Sequence, residues 1–178
     1  MSPQPRAEQA RARRSRLRVL EAALALFARD GYDATTFARV ASEAGVSVGL
    51  ACRYFPTKEH LVVALYDRLA TELEAWSLEM PAGTVAERFE SAMRAKLALL
   101  EPHRRALVAL TARALDPEGR ASVLGPHTEA LRSKVAGVFW AAVCGSTDAP
   151  GPDESAALAR ALYGVHLLLV LLYVQESD

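Results

Sequence analysis

At 178 residues the chain has room for one or two compact domains. Apolar residues make up 51% of it and charged residues 24%, which supplies a sizeable core and excludes general disorder. The formal net charge is zero, yet residues 1–60 hold ten Lys/Arg against six Asp/Glu, and residues 61–178 hold eleven against fifteen; a basic head on an acidic body is the distribution expected when the head alone meets nucleic acid.

In chain order, residues 1–9 are polar with Pro3 and Pro5 and are expected to form a disordered arm. Arg11, Arg13, Arg14, Arg16 and Arg18 follow. They can lie along DNA phosphates, or they can be the solvated face of a helix. The first helix runs on to about Asp30, with Leu20, Ala23, Leu24 and Phe27 spaced for one buried face. Gly31 ends it. Thr35 and Thr36 are candidate N-caps of a second helix, in which Phe37, Val40 and Ala41 share an apolar face. Gly45 stands where the chain must reverse, and Ser47 can cap a third helix from Val48 to Tyr54. Phe55 and Pro56 stop that helix, and Thr57 can cap the next. A short helix, a Gly turn and a second short helix form a helix-turn-helix pattern, whose second helix enters the DNA major groove.

From Val19 to Leu61 the chain reads VLEAALALFARDGYDATTFARVASEAGVSVGLACRYFPTKEHL. Ala23, Phe27, Gly31-Tyr32, Thr35-Thr36, Val40-Ala41, Ala44 to Ser47, Gly49, Tyr54-Phe55 and Lys58-Glu59 closely resemble the DNA-binding domain of the TetR family of bacterial transcriptional regulators. The likeness fades past about Leu65. Ala51 and Cys52 depart from the pattern, which most often has a large apolar residue and then a phosphate-touching Tyr. The resemblance implies an all-α protein. A three-helix helix-turn-helix domain (residues 10–56) would be joined by a long helix to a helical ligand-binding and dimerisation domain (residues 57–178). It also implies a homodimer that represses a promoter through palindromic operator DNA and is released by a small-molecule effector. Two alternatives are a regulator without a ligand that answers to a partner protein, and an all-α small-molecule binding protein. The expected DNA-facing residues are Thr36, Arg39, Ser47, Val48, Leu50, Arg53, Tyr54 and Lys58. Among them Arg53 can pair with a guanine or a phosphate, and Val48 and Leu50 can meet thymine methyl groups. Thr36 and Lys58 match phosphate-contacting positions at helix N-termini.

The fourth helix is expected from Lys58 to about Met80, roughly 30 Å long, and belongs to both parts. Thr84 to Glu87 reads as a capping box opening a fifth helix, to about Leu100. Further helices follow from near His103, from Gly125-Pro126 to about Cys144, and from Asp153, as a cap, to about Gln175. DPEG (Asp116 to Gly119) and GSTDAPGP (Gly145 to Pro152) are turn and loop chemistry. No strand pattern is present. The family usually closes with two long helices that pair with their mates in a second subunit; here the last apolar helix is followed closely by the final residue. Its apolar residues nearly encircle it, which favours burial on both sides.

Trp76, Phe89, Met93, Phe139, Trp140, Tyr163 and His166 are candidate cavity residues, each equally at home in a core. His166, in the apolar stretch LYGVHLLLV, is expected to be a hydrogen-bonded core or interface histidine. The histidines are too scattered for a metal site, and no cofactor is expected. GxSxG, P-loop, HExxH and GxGxxG motifs are all missing, so no enzyme is expected. Cys52 and Cys144, without a CxxC pair, fit a reducing, cytoplasmic setting. No apolar stretch follows the N-terminal arginines as in a signal peptide. The longest apolar run, Leu167 to Val174, falls short of the ~20 residues of a membrane span, so no membrane partner is expected.

Overall fold

The computed structural model describes residues 5–116 and 118–176, and among them every regular element is helical. α1 spans Pro5–Asp30, α2 Phe37–Ala44, α3 Val48–Tyr54, α4 Lys58–Ser77 and α5 Val85–Leu100. A 3-10 turn, Glu101–His103, leads into α6, Arg104–Leu115. A second, Pro126–Thr128, leads into α7, Glu129–Cys144, and α8 spans Pro152–Gln175. Residues 5–9 are thus the first turns of α1 and not a disordered arm; the stretch from Ala7 to Gln9 holds good helix formers and no breaker. Residues 1–4 lie outside the described residues.

The termini of the short helices follow from local chemistry. Gly31 and Gly45 are the described residues with left-handed backbone, at φ 86° and 63°. Gly45 closes α2, its N–H and that of Val46 returning to the carbonyls of Ser42 and Ala41. Thr36 Oγ1 accepts from the Arg39 N–H at 3.3 Å, and Ser47 Oγ from the Leu50 N–H at 3.2 Å, so α2 and α3 each begin on a side-chain cap. Thr35 is buried, and its hydroxyl donates to the Gly31 carbonyl at 2.8 Å. Two expected caps differ. Thr57 occupies the cap position of α4, but its hydroxyl pairs with His60 Nδ1 at 2.9 Å. Gly151 caps α8, with Pro152 first in the helix, which leaves Asp153 as a first-turn acid.

Two apolar clusters hold the molecule. The larger gathers Leu20, Ala23, Leu24 and Phe27 of α1, Val40 and Ala41 of α2, Ala51 of α3 and Leu61 and Leu65 of α4, and extends into Leu107 and Leu110 of α6. The head therefore shares its core with α6. The second, in the body, is built from Ala70 and Leu73 of α4, Ala92 and Met93 of α5, and Val135, Val138 and Phe139 of α7. α8 lies against α5, α6 and α7. By length and composition α8 could cross a membrane, which the short uninterrupted apolar run does not register. Ser155, Ala159, His166 and Val174 are buried on the bundle, while Val165, Leu168, Leu169 and Leu172 are exposed.

A buried arginine fastens the far end of the body. Arg88 of α5 donates from Nε to the Ala142 carbonyl and from Nη2 to that of Ala141, both at 3.0 Å, and from Nη1 to Pro81 at 2.5 Å. It thereby satisfies the open C-terminal carbonyls of α7 and places a cation at the negative end of that helix. The capping box of Thr84 and Glu87 opens α5 beside it, and Asp148 accepts from the Val85 N–H at 2.7 Å. Arg88→Ala takes the guanidinium donor from the Ala142 and Pro81 carbonyls and one of two donors from that of Ala141, which also accepts from the Gly145 N–H, and should lower unfolding stability by roughly 1–3 kcal/mol. Urea denaturation followed by circular dichroism measures this; a loss within experimental error would make the guanidinium a bystander.

Candidate nucleic-acid interface and body cavity

α3 is seven residues long and is seated by Ala51 and, just past its end, Phe55, both essentially inaccessible. Seating on those two residues leaves Ser47, Val48, Gly49 and Arg53 exposed along one side. Leu50 and Tyr54 are half-buried, with Tyr54 packed against the larger cluster. Arg53 makes no hydrogen bond or ion pair among the described residues, so its guanidinium is available. Ser47 already spends its side-chain oxygen as a cap.

The remaining expected DNA-facing residues are more constrained. Arg39 is tied to Asp30 at 2.5 Å and reaches the Ala34 carbonyl at 3.4 Å. Lys58 donates to the Tyr32 carbonyl at 2.7 Å and sits 4.3 Å from the Tyr32 ring centroid. The Tyr32 hydroxyl donates in turn to Glu59 at 2.8 Å. An ammonium has three N–H donors, so Lys58 can keep this bond and still offer one to a phosphate. The arginines of α1 extend the basic surface. Arg16 stacks on the Phe55 ring, 4.7 Å from its centroid. Arg18 Nη1 lies 4.0 Å from where a side-chain carbon on Gly45 would be, next to the turn between α2 and α3. Arg11, Arg13 and Arg14 are exposed on the same helix. Cys52 is half-buried and Cys144 exposed, both as free thiols.

The body holds a cavity of ≈ 350 Å³, within the size range of small-molecule sites. α4 lines it with Tyr66, Leu69 and Ala70; α5 with Lys96 and Leu100; α6 with Leu107, Thr111, Ala114 and Leu115. Val123, Leu124 and Thr128, then Leu131, Arg132 and Val135 of α7, and residues of α8 from Tyr163 to Val174 complete the wall. The exposed Leu115, Leu124 and Leu168 lie where it opens.

Of the seven expected cavity residues, Tyr163 and His166 line it. Phe89, Met93 and Phe139 stand behind it in the second apolar cluster, with Phe139 packed 4.8 Å from the His166 ring and 5.7 Å from Phe89. Trp76 is half-buried at the edge of that cluster, beyond the last cavity residue of α4. Trp140 is 47% exposed, on the outer face of α7. The expectation fails at these five because an aromatic residue on an amphipathic helix can face core, cavity or solvent, and the phase of α7 turns Trp140 outward.

The polar residues of the cavity were less visible in the sequence. Lys96 is only 8% exposed and makes no ion pair or hydrogen bond among the described residues. Burial pushes its ammonium down to about 8. His166 is 3% exposed, and neither ring nitrogen has a hydrogen-bond partner among the described residues, contrary to the expected hydrogen-bonded histidine. Burial, and then the nearby charge of Lys96, hold it down at about 4. The Tyr163 backbone acts weakly the other way without reaching hydrogen-bond geometry. A signal for Lys96 was present: Phe89, Ala92, Met93, Lys96 and Leu100 recur at helical spacing, so the lysine interrupts the buried stripe of α5.

Residues 19–65 match the family of bacterial regulatory proteins known as the tetR family. The HTH-type transcriptional repressor KstR of Rhodococcus jostii strain RHA1 is 37% identical over 75 residues, 42% of this chain and 35% of that protein. The KstR repressor of Mycobacterium tuberculosis is 40% identical over 63 residues, 35% of this chain and 29% of that protein. The match thus spans about a third of the length of these relatives. Over the whole fold, a Streptomyces coelicolor A3(2) protein described as a TetR family transcriptional regulator superposes with a TM-score of 0.60 and 26% identity, covering 90% of this chain and 70% of the other. A TetR transcription regulatory protein from Mycobacterium vanbaalenii gives 0.56 at 24% identity, covering 93% and 96%. With the helix-turn-helix built as its caps dictate, residues 19–65 carry the tetR-family segment, and the arrangement of helices behind it is the fold seen in solved regulators of that kind.

Proposed function

We propose that the chain is a transcriptional regulator, acting as a repressor, that binds palindromic operator DNA as a homodimer in the cytoplasm and leaves it when a small molecule occupies the body cavity. The observation that carries this reading is the exposed side of α3. Ser47, Val48, Gly49 and Arg53 stand free on a helix seated by Ala51 and Phe55, flanked by Arg16 and Arg18 of α1. A helix so presented fits the major groove, and the α1 arginines and Lys58 supply phosphate contacts that fix its register. The cavity favours an effector over the ligand-free alternative. The KstR relatives are named as repressors.

Two heads reach successive major grooves only when about 34–36 Å apart, which requires a two-fold partner. The bare face of α8 supports pairing there, with Trp140 of the adjoining α7 also exposed. Induction would act through helices that belong to both parts. α4 carries Lys58 at its start and Tyr66, Leu69 and Ala70 at the cavity, and α6 lines the cavity while sharing the core of the head.

Three measurements test the reading. On an operator selected from random DNA, Arg53→Ala should cost roughly 1–3 kcal/mol if the guanidinium reads a guanine, with a smaller loss on random DNA. Arg18→Ala should weaken both alike and flatten the salt dependence by about one ion. Equal losses for Arg53→Ala on both DNAs would move that residue to the backbone, and no salt-sensitive DNA binding at all would sink the proposal. Light scattering of the double variant Leu169→Arg, Leu172→Arg should show a monomer where the parent is a dimer; a dimeric variant would place the interface elsewhere.

A further inference from the structure

The cavity is apolar almost throughout, yet its charged groups share one sign. The titratable groups facing it are Tyr66 of α4, Lys96 of α5, Arg132 of α7, and Tyr163 and His166 of α8, while α6 contributes only the hydroxyl of Thr111. Among the described residues no Asp or Glu lines it. Part of the hydrogen-bonding capacity is already committed. Thr111 donates to the Leu107 carbonyl at 3.1 Å, and Thr128 to that of Ser122 at 2.6 Å. Arg132 Nη1 is held by Gly125 at 2.5 Å and Thr128 at 3.0 Å. Lys96 and His166 stand apart: both are more than nine-tenths buried, and both lack a partner among the described residues. Both line the same cavity.

A buried cation without a counter-charge is a standing cost to the empty fold, because burial strips its hydration and nothing replaces it. A group that brings one negative charge and two acceptor oxygens removes that cost on binding. We infer that the cavity receives an amphipathic carboxylate, with its anionic head at the Lys96 ammonium and the His166 imidazole, and an aliphatic or alicyclic body among Leu100, Leu107, Leu131 and Leu167. This deepens the effector reading above and rests on it. The neutral imidazole supplies one N–H donor, so it completes the site without adding a second full charge. The exposed leucines where the cavity opens suit an apolar tail that enters or trails there. A neutral hydrocarbon of the same size would fill the same volume and leave Lys96 as costly as before.

The test is isothermal titration of the full chain with straight-chain acids from octanoate to dodecanoate and with the matching primary alcohols. The acids should bind at least tenfold more tightly than the alcohols. Within the acids, each added methylene should improve affinity by about fourfold until the cavity is full. Lys96→Met should abolish the preference for acid over alcohol while leaving the alcohols nearly unchanged. In the same variant the His166 ring, followed by NMR, should titrate at higher pH than in the parent. Alcohols binding the parent as well as acids do, or Lys96→Met retaining the tenfold preference, would overturn the inference, as would binding of neither series. Should Lys96→Met fail to fold, the comparison of acid with alcohol in the parent decides alone. Acids that bind preferentially, yet bind the free protein and its operator complex equally, would uphold this ligand class and remove the effector reading instead.

Discussion

One helix has to satisfy two surroundings at once. α4 begins at Lys58, whose ammonium is held by the Tyr32 carbonyl and ring at the turn between α1 and α2. Within the next two turns Leu61, Val62 and Leu65 are inaccessible in the larger cluster. From there on Tyr66, Leu69 and Ala70 form a cavity wall, and Leu73 closes into the second cluster. Neither Gly nor Pro interrupts Lys58–Ser77, so there is no hinge of the usual kind within it. A displacement at Tyr66 is therefore carried to Lys58, because close-packed side chains along the rod leave little room to absorb it. The position of the helix-turn-helix and the shape of the cavity are set by the same twenty residues.

The energetics of the body turn on two cationic residues with opposite fates. Arg88 and Lys96 lie on the same helix, and each is 8% exposed. Arg88 has a guanidinium fork that meets carbonyls on α7 and in the turn after α4, so its burial is compensated and it ties three segments together. Lys96, two turns on, meets none, and its ammonium is pushed toward neutrality. A fold that needed only stability at that position would be served by leucine or methionine, which match the apolar stripe around it. An uncompensated cation in that place has the character of a group waiting for its partner.

The head was legible in the sequence because its determinants are local. Thr36 and Ser47 cap, Gly31 and Gly45 turn, and Leu20 to Phe27 carry a single helical face; none needs a distant residue to be interpreted. The helices of the body were legible for the same reason, down to the Thr84–Glu87 box. What was not legible depends on helix rotation and neighbours. Trp140 and Phe139 are adjacent in sequence, yet one is 47% exposed and the other inaccessible. Lys96 and His166 are 70 positions apart, and nothing local announces that α5 and α8 bring them to one cavity. Lys58 matched a phosphate-contacting position, but its bond to Tyr32 lies across a turn that spacing alone does not place.

The link from cavity to head through α6 shows which kind of contact can carry a signal. Arg113, on the last turn of α6, pairs with Asp33 at 2.9 Å and lies 5.4 Å from the Tyr32 ring centroid, which looks like a direct wire to the turn before α2. Both partners are well exposed, at 44% and 82%, and such pairs contribute about 0–1 kcal/mol. Moving a two-state equilibrium from 1:99 to 99:1 takes about 5.5 kcal/mol of differential affinity. The ion pair is too small to transmit that. Leu107 and Leu110 are not: they are buried in the same cluster as Leu24 and Phe27, and a fully buried leucine contributes about 1.5–3 kcal/mol. Leu107 also lines the cavity, so one side chain belongs both to the cavity wall and to the core shared with the head. A ligand that displaces it must either repack α1 or push α6 away from it, and close packing admits no gradual compromise between the two. On the proposed reading, coupling between cavity and head would run through apolar packing along α4 and α6, with the surface charges at the turn following the helices and not driving them.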